Sequence, residues 1–325
     1  MPGEYSLKPL FAVPAILSLA ASTAFGQAYP NKPIRLVVPS AAGGTPDIQA
    51  RIIANALSKQ MGQQVVVDNR GGASGILGYD VIAKAAPDGY TLGYSAFTFI
   101  TNALAFSRLP YDSAKDFQPV TRGVSGTNIL TVTLSLPVRS VRELVELARA
   151  QPAKLSYGGP GGGASQQLSV ELLKSMTGTQ ITQIYYKAIQ QAITDTIGGQ
   201  IQIVCDNAAS MLPHVLGGRL RAIGVTGLKR IPAAPDIPTV AEAGFPGYEM
   251  APSSGYMFPA RTPREIILRM NAELNKALKS PVFAEIVIPA GSTITASTPE
   301  QFAEHIRRET EKWGAVIKAA GIKAD

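Results

Sequence analysis

Short apolar runs alternate with amphipathic stretches along the chain from residue 29 onward. Continuous apolar runs such as IRLVV (34–38) are typical of strands that are buried on both faces, as in parallel sheets. The stretch that follows has a helical repeat, with Ile48, Ile52, Ile53 and Leu57 on one face. Repeated along the chain, this alternation predicts a largely parallel α/β architecture.

Two glycine-rich stretches each stand between a predicted strand and a predicted helix. The first glycine loop is PSAAGGTPD (39–47), and the second glycine loop is GGPGGGAS (158–165). Neither is a P-loop, because neither ends in Gly-Lys-Ser/Thr. Backbone N–H groups at a helix N-terminus favour an anion such as a carboxylate, phosphate or sulfate. We therefore predict that the loops face each other across a cleft and hold a ligand. A plain strand–helix turn and a flexible connector are the alternatives.

The candidate ligand-binding residues lie in these loops, at the start of the following helix and at the ends of neighbouring strands. The first loop contributes Ser40, Ala41, Ala42, Gly43, Gly44, Thr45 and Asp47. The second loop and the helix after it contribute Gly161, Gly163, Ala164, Ser165 and Gln166. Strand ends add Ser95, Ala96, Phe97, Tyr185, Tyr186 and Asp206. For Asp206 a local backbone cap is an equally good interpretation.

The first 28 residues have the pattern of a secretory signal peptide. Lys8 precedes an apolar run that ends in small residues, as before a cleavage site. A membrane anchor is the alternative, but the run is short and contains Pro14. We expect residues 1–28 to be removed on export.

The charge pattern argues against a nucleic-acid-binding protein, and the cysteine content excludes a protein held together by disulfides within the chain. The formal net charge is +7, but the cations are scattered and no nucleic-acid-binding motif is present, so we expect no nucleic-acid partner. The single cysteine, Cys205, lies in the apolar run IQIVC. A disulfide within the chain is impossible, and a buried thiol is expected.

Little in the sequence supports catalysis. The two histidines are His214, with no acid or nucleophile signature near it, and His305, which we predict at the surface of an Arg- and Glu-rich helix. There is no G-x-S-x-G elbow, no H-E-x-x-H motif and no cysteine cluster. We expect no catalytic residue, metal or cofactor. An exported α/β hydrolase with a triad assembled from distant residues is the alternative.

Helix starts are marked by three polar residues. Ser140 with Glu143 predicts a capping box. Thr262 and Thr298 are each followed by proline, which predicts the N-caps of the last two long helices.

Taken together, these residues resemble the Bug family of extracytoplasmic solute receptors, which serve tripartite tricarboxylate transporters. The resemblance runs from residue 29 to residue 322, and its landmarks are VVVDNRGGASG (65–75), AAPDGYTL (85–92), LPYD (109–112), KDFQPV (115–120), GGQIQ (198–202) and PDIPTVAEAGFPGYE (235–249). It implies a two-lobed periplasmic binding protein of type II, with a ligand cleft between the lobes. The lobes are expected at 29–125 with 251–325, and at 126–250.

The resemblance also implies a function. A periplasmic, monomeric receptor is expected to capture a small carboxylated solute and deliver it to membrane transporter subunits. A sensor that serves a signalling partner is the alternative. The family usually has proline where Ala42 stands and histidine where Gln166 or Gln167 stands, so the solute is expected to differ from the commonest family ligands. The candidate solutes are di- or tricarboxylates, amino acids and aromatic acids. The aromatic rings of Tyr185 and Phe97 would suit an aromatic acid.

Overall fold

The computed structural model describes residue 3 and residues 29–324. The predicted signal peptide therefore lies outside the described residues, apart from Gly3. The strands are β1 (Ile34–Val38), β2 (Val65–Asn69), β3 (Thr91–Ser95), β4 (Phe117–Ser125), β5 (Asn128–Val132), β6 (Ser156–Gly159), β7 (Thr182–Tyr185), β8 (Ile203–Asn207), β9 (Arg221–Val225), β10 (Ser253–Pro259) and β11 (Thr293–Ile294). The helices are α1 (Thr45–Met61), α2 (Ile76–Ala83), α3 (Thr98–Ala105), α4 (Val141–Ala150), α5 (Ser165–Thr177), α6 (Ile189–Ile197), α7 (Ala208–Leu216), α8 (Arg264–Leu278), α9 (Pro281–Val287) and α10 (Pro299–Ala319).

The strands form two sheets. The first sheet has the order β11–β4–β10–β3–β1–β2, and the second has the order β7–β6–β8–β5–β9. The second sheet is therefore built entirely from the middle of the chain, and the first from the parts before and after it. Helices pack on both sheets, which confirms the predicted α/β class.

The prediction of largely parallel sheets is wrong. β1 pairs in parallel with β2 and β3, and β6 pairs in parallel with β7 and β8. However, β10 runs antiparallel to β3 and β4, and β5 runs antiparallel to β8 and β9. β5 is the first strand after the chain leaves the first sheet, and β10 is the first strand after the chain returns to it. Without a crossover helix to reverse its direction, such a strand enters the sheet against its neighbours.

The two chain crossings between the sheets lie side by side. The first crossing follows β4, the second precedes β10, and the Gly126 N–H donates to the Pro252 carbonyl across a distance of 2.8 Å. A peptide hydrogen bond thus joins the first connection to the last residue of the second, directly before β10.

The hydrophobic cluster of the second sheet includes residues from the helices of the first sheet. Trp313 and Ile317 of α10 are 0% and 3% exposed and lie in this cluster, together with Phe97 before α3. α10 therefore ties the two halves of the molecule together by burying apolar surface.

The predicted helix caps have mixed outcomes. Thr298 is the N-cap of α10 as predicted, and it forms a capping box with Gln301 through bonds of 3.2 and 3.0 Å. Ser140 caps α4 by accepting the Glu143 N–H, whereas the Glu143 carboxylate accepts from the Arg139 N–H in place of the Ser140 N–H. Thr262 is not a cap: α8 begins one residue later than predicted, with Pro263 at the cap position. The Thr262 hydroxyl donates instead to the Pro259 carbonyl, 2.8 Å away.

The sequence predicted that His305 lies at the surface, but its side chain is only partly exposed. It is partly buried, and its Nε2 atom lies 2.9 Å from the Ser253 hydroxyl at the start of β10. Burial and the nearby cations Arg122, Arg308 and Lys312 lower the pKa of His305 to about 4. Cys205 is buried as predicted, and this burial raises the pKa of its thiol to about 12.

Candidate ligand-binding site

The first glycine loop is held in shape by a buried carboxylate. Gly43 adopts φ +82°, a conformation that favours glycine, and its N–H donates to Asp47 Oδ2 at 2.8 Å. Asp47 is 3% exposed, and its Oδ1 lies 3.0 Å from Arg51 Nε. Burial opposes the charge of Asp47, but the Gly43 N–H and Arg51 outweigh it and lower the pKa. The Asp47 carboxylate thus faces the backbone of its own loop, while residues 41–45 are exposed.

A second segment packs closely behind the first glycine loop. A Cβ atom on Gly71 would lie 2.8 Å from the Ala41 nitrogen and 3.0 Å from the Ser40 carbonyl carbon. Only glycine fits at that position without moving the loop. Gly71 therefore lies directly against Ser40 and Ala41, and we call residues 71–74 the bridge segment.

The second glycine loop is held by a neutral side chain in the corresponding position. Gly163 has φ +77°, and its N–H donates to Gln167 Oε1 at 2.9 Å. Gln167 is 2% exposed and donates in turn to Gln183 Oε1 at 2.8 Å. The Gln183 amide then donates to the Pro160 carbonyl at 3.3 Å. This chain of amides connects the two ends of the loop.

The second glycine loop contacts the half of the molecule that carries the first. A Cβ atom on Gly163 would lie 3.0 Å from Thr101 Cβ in α3, and one on Gly162 would lie 3.4 Å from the Ser74 hydroxyl oxygen. The Ser74 carbonyl also accepts from Asn102 Nδ2 at 3.0 Å. Because Ser74 belongs to the bridge segment, both glycine loops lie beside that segment.

Gln166 and Asp206 form a pair near the start of α5. Gln166 Nε2 donates to Asp206 Oδ1 at 2.8 Å. Asp206 is 3% exposed, and burial raises its pKa in spite of hydrogen bonds from Asn207, Gln166 and Ser210. Beside this pair, the Ser165 carbonyl accepts the Ser169 hydroxyl at 2.7 Å. Two of the predicted site residues, Gln166 and Asp206, are therefore in direct contact.

The residues at and after the end of β3 are buried or partly buried. The Phe97 ring is 6% exposed and packs edge-on against Trp313, so it serves the hydrophobic cluster. Ser95 is 4% exposed, and the Ala96 N–H donates to the Tyr79 hydroxyl at 3.1 Å. The ring of Phe97 is therefore not placed opposite that of Tyr185 on an open cleft wall.

The two predicted tyrosines point in different directions. Tyr185 is 71% exposed, and its ring lies beside Gly161, where a Cβ atom would be 2.8 Å from Tyr185 Cε1. The Tyr186 hydroxyl donates to Asp195 Oδ2 at 2.7 Å, on α6. Tyr185 thus borders the second glycine loop, whereas the Tyr186 hydroxyl is used to hold α6.

The sequence interpretation missed several residues that shape the site. Gln167 and Gln183 hold the second loop, while Ser74 and Thr101 meet it from the other half. The detectable signal was a polar side chain four residues after a glycine, which occurs at Asp47 and again at Gln167.

Residues 29–324 have neither the features of a metal site nor those of a membrane span. No group of three His, Cys, Asp or Glu side chains there has the arrangement of a metal site. No helix in the same range has the length and apolar character of a membrane span.

A cavity of about 770 Å³ lies away from the glycine loops, between α3, α10 and the loop before β4. Its walls include Phe106, Leu109, Phe117 and Ile306, and none of the predicted site residues lines it.

Comparison with known proteins identifies the family. Residues 49–322 match the model of the tripartite tricarboxylate transporter family receptor. The chain belongs to this family. A relative from Pseudomonas sp. (strain P51), described as UPF0065 protein in tcbD-tcbE intergenic region, is 37% identical over 299 residues, which make up 92% of this chain and 89% of the relative.

Solved structures of the receptor family have the same fold. R. palustris Rpa4515 with adipate is 38% identical, with a TM-score of 0.82, over 91% of this chain and 99% of the other. The periplasmic binding protein BugD is 30% identical, with a TM-score of 0.78, over 91% and 99% of the two chains. The predicted Bug family and binding-protein fold are confirmed, and membership identifies a solute receptor and not an enzyme.

Proposed function

We propose that this receptor binds a small carboxylated solute between its two glycine loops and delivers it to a membrane transporter. The observation that carries the proposal is the convergence of the loops on the bridge segment, with Gly71 against Ala41 and Gly162 near Ser74. Each loop leads into the N-terminus of a helix, α1 or α5, where unpaired N–H groups and the helix dipole favour negative charge.

The charge of the loops supports recognition through backbone groups. Residues 39–47, 95–98 and 158–166 contain no lysine or arginine. Hydrogen bonds to a charged group contribute about 1.5–3 kcal/mol each. Several such bonds to one carboxylate supply much of the roughly 8 kcal/mol that micromolar affinity requires. The Rpa4515 relative, solved with adipate, supports a dicarboxylate as the first ligand to test.

The candidate residues divide into two groups under this proposal. The loop residues and Gln166 contact the solute, with the exposed Tyr185 ring at the rim of the second loop. Asp47, Phe97, Tyr186 and Asp206 support the site through the partners described above. The two lobes, 29–125 with 251–325 and 126–250, close on the solute; the separate origin of the two sheets supports this division.

We propose the periplasm as the location, as for BugD, with the receptor acting as a monomer that partners a transporter of the tripartite tricarboxylate type. A solute sensor for a signalling protein would bind in the same way. Deleting the gene separates the two: loss of solute uptake indicates transport, and loss of a transcriptional response with normal uptake indicates sensing.

The binding proposal is tested by calorimetry on the purified protein with adipate, malate, citrate, aspartate and benzoate. Matched controls are hexanoate, which has a single carboxylate, and the uncharged adipamide. We expect saturable binding of at least one acid, no binding of adipamide, and weaker binding by Ser165→Ala. If neither the protein nor a refolded sample binds any acid, the carboxylate proposal is overturned.

A further inference from the structure

The two glycine loops are built in the same way, although they belong to different halves of the molecule. In each, a glycine of positive φ, Gly43 or Gly163, lies two residues before the helix begins. In each, its N–H donates to a side-chain oxygen four residues later, at the third position of the helix. The two acceptors, Asp47 and Gln167, are 3% and 2% exposed.

This arrangement determines which N–H groups remain available. Binding the glycine N–H to a buried side chain turns it away from the solvent and fixes the direction of the peptides that follow. The N–H groups of the first helical residues have no partner within the helix and can bind a ligand: those of Thr45 and Asp47 in α1, where Pro46 has none, and those of Ser165 and Gln166 in α5. Without the acceptor, the loop would exchange among the many conformations open to glycine, and ordering it again would weaken binding.

From this match we infer that Asp47 and Gln167 are a pair of positioning residues, each of which holds one glycine loop in the shape that binds the solute. The inference rests on the proposed function, because it concerns the same loops. Neither residue needs to touch the solute, since both face the loop backbone.

The two positioning residues differ in charge, and this difference makes the inference specific. Asp47 holds its loop with a carboxylate that is paired with Arg51 at 3.0 Å. Gln167 holds its loop with an amide that continues to Gln183. The acceptor that holds the first loop is therefore a carboxylate, and the acceptor that holds the second loop is a neutral amide.

The test compares variants that remove the acceptor with variants that keep it. Asp47→Ala and Gln167→Ala leave the glycine N–H without its partner, and we expect adipate, or the best acid of the panel above, to bind at least tenfold more weakly. Asp47→Asn keeps an acceptor for the Gly43 N–H and loses the ion pair with Arg51, so we expect it to bind the acid more tightly than Asp47→Ala does. Gln167→Glu keeps the acceptor and adds a carboxylate at a position that is 2% exposed, so its affinity for the acid should fall, with little change as salt rises.

The control for a purely structural effect is Ser58→Ala. Ser58 lies at the opposite end of α1, where its hydroxyl accepts the Val65 N–H at 2.9 Å. We expect it to lower stability without changing affinity. Hydrogen exchange should be faster in the loop of each alanine variant than in that of its acceptor-keeping partner.

The outcomes separate this inference from the proposed function. If the unmodified protein binds no acid, the proposed function fails. If it binds and both alanine variants bind as tightly, or if Asp47→Asn is as weak as Asp47→Ala, the positioning role is overturned while the binding function stands.

Discussion

Trp313 and Phe97 are far apart in the sequence but pack edge-on, with ring centroids 5.6 Å apart and an interplanar angle of 89°. Phe97 follows Ser95 and Ala96 at the end of β3, and Trp313 lies in α10. Both rings belong to the hydrophobic cluster of the second sheet. The pair therefore connects the loop surface after β3 to the helix that ties the two halves together.

This contact makes intrinsic fluorescence a reporter of solute binding. Trp313 is the chain's single tryptophan and is 0% exposed. Because its ring touches the residue next to Ala96, we expect solute binding to change the emission, with the dissociation constant that calorimetry gives. Trp313→Phe should remove the signal while calorimetry still detects binding. An emission that stays constant while calorimetry shows saturation would contradict this prediction.

Replacing Gly163 with alanine should weaken solute binding in two ways, by straining the backbone and by bringing the new Cβ atom close to Thr101. At φ +77° alanine is strained by about 1–2 kcal/mol, and its Cβ would lie 3.0 Å from Thr101 Cβ. The matched control is Gly178→Ala at the far end of α5, which has φ +67° and no atom within 4 Å of its Cβ. We expect both variants to lose stability in urea titrations, but only Gly163→Ala to lose solute affinity. Equal affinities would show that the loop contact has no role in binding.

His305 should make stability depend on pH. Its folded-state pKa of about 4 lies below the ordinary value of 6.5, so the unfolded chain binds more protons between these pH values. The contribution of His305 is therefore complete above pH 6.5 and is lost as the pH falls from 6.5 to about 4. Partial exposure limits it to on the order of 1 kcal/mol. Thermal unfolding of His305→Gln from pH 4 to pH 7 should show a shallower slope than the unmodified protein, whereas identical slopes would rule out this role.

The capping box at the start of α10 should contribute to stability and not to binding. Thr298→Ala removes the acceptor for the Gln301 N–H and should lower the free energy of unfolding by about 1 kcal/mol. Thr298→Ser keeps the hydroxyl and should restore most of the loss. Urea titration measures both variants, and calorimetry should find the affinity of the unmodified protein in each. If the alanine and serine variants are equally stable, the cap is not the cause.

The sequence predicted the strands whose residues are all buried to a similar extent. β1 occupies the predicted residues 34–38, because a continuous apolar run identifies a strand that is buried on both faces. β4 was missed, since FQPVTRGVS includes a proline and an arginine and is buried unevenly. Its partners β10 and β11 come from much later in the chain. Pairing between such distant segments leaves no local pattern.

The candidate site was predicted as a pair of loops but not in its internal contacts. Glycine marks the turns directly, because few other residues accept positive φ. The roles of Gln167 and Phe97 depend on Gln183 and Trp313, which are brought to them only by folding. A polar residue at the third helical position can cap the helix or lie exposed to solvent. The sequence therefore did not distinguish a side chain that supports the loop from one that contacts the ligand.

The hydrogen bond from Gly126 to Pro252 has a consequence for how receptors of this type diversify. A segment whose two ends lie side by side can be exchanged between relatives as one piece, leaving the rest of the chain in place. Residues 127–251 carry the whole second sheet and the second glycine loop. A transplanted segment would have to keep a hydrophobic surface complementary to Trp313 and glycines that fit against Thr101 and Ser74, and under the proposed function it would bring its own second glycine loop to the solute.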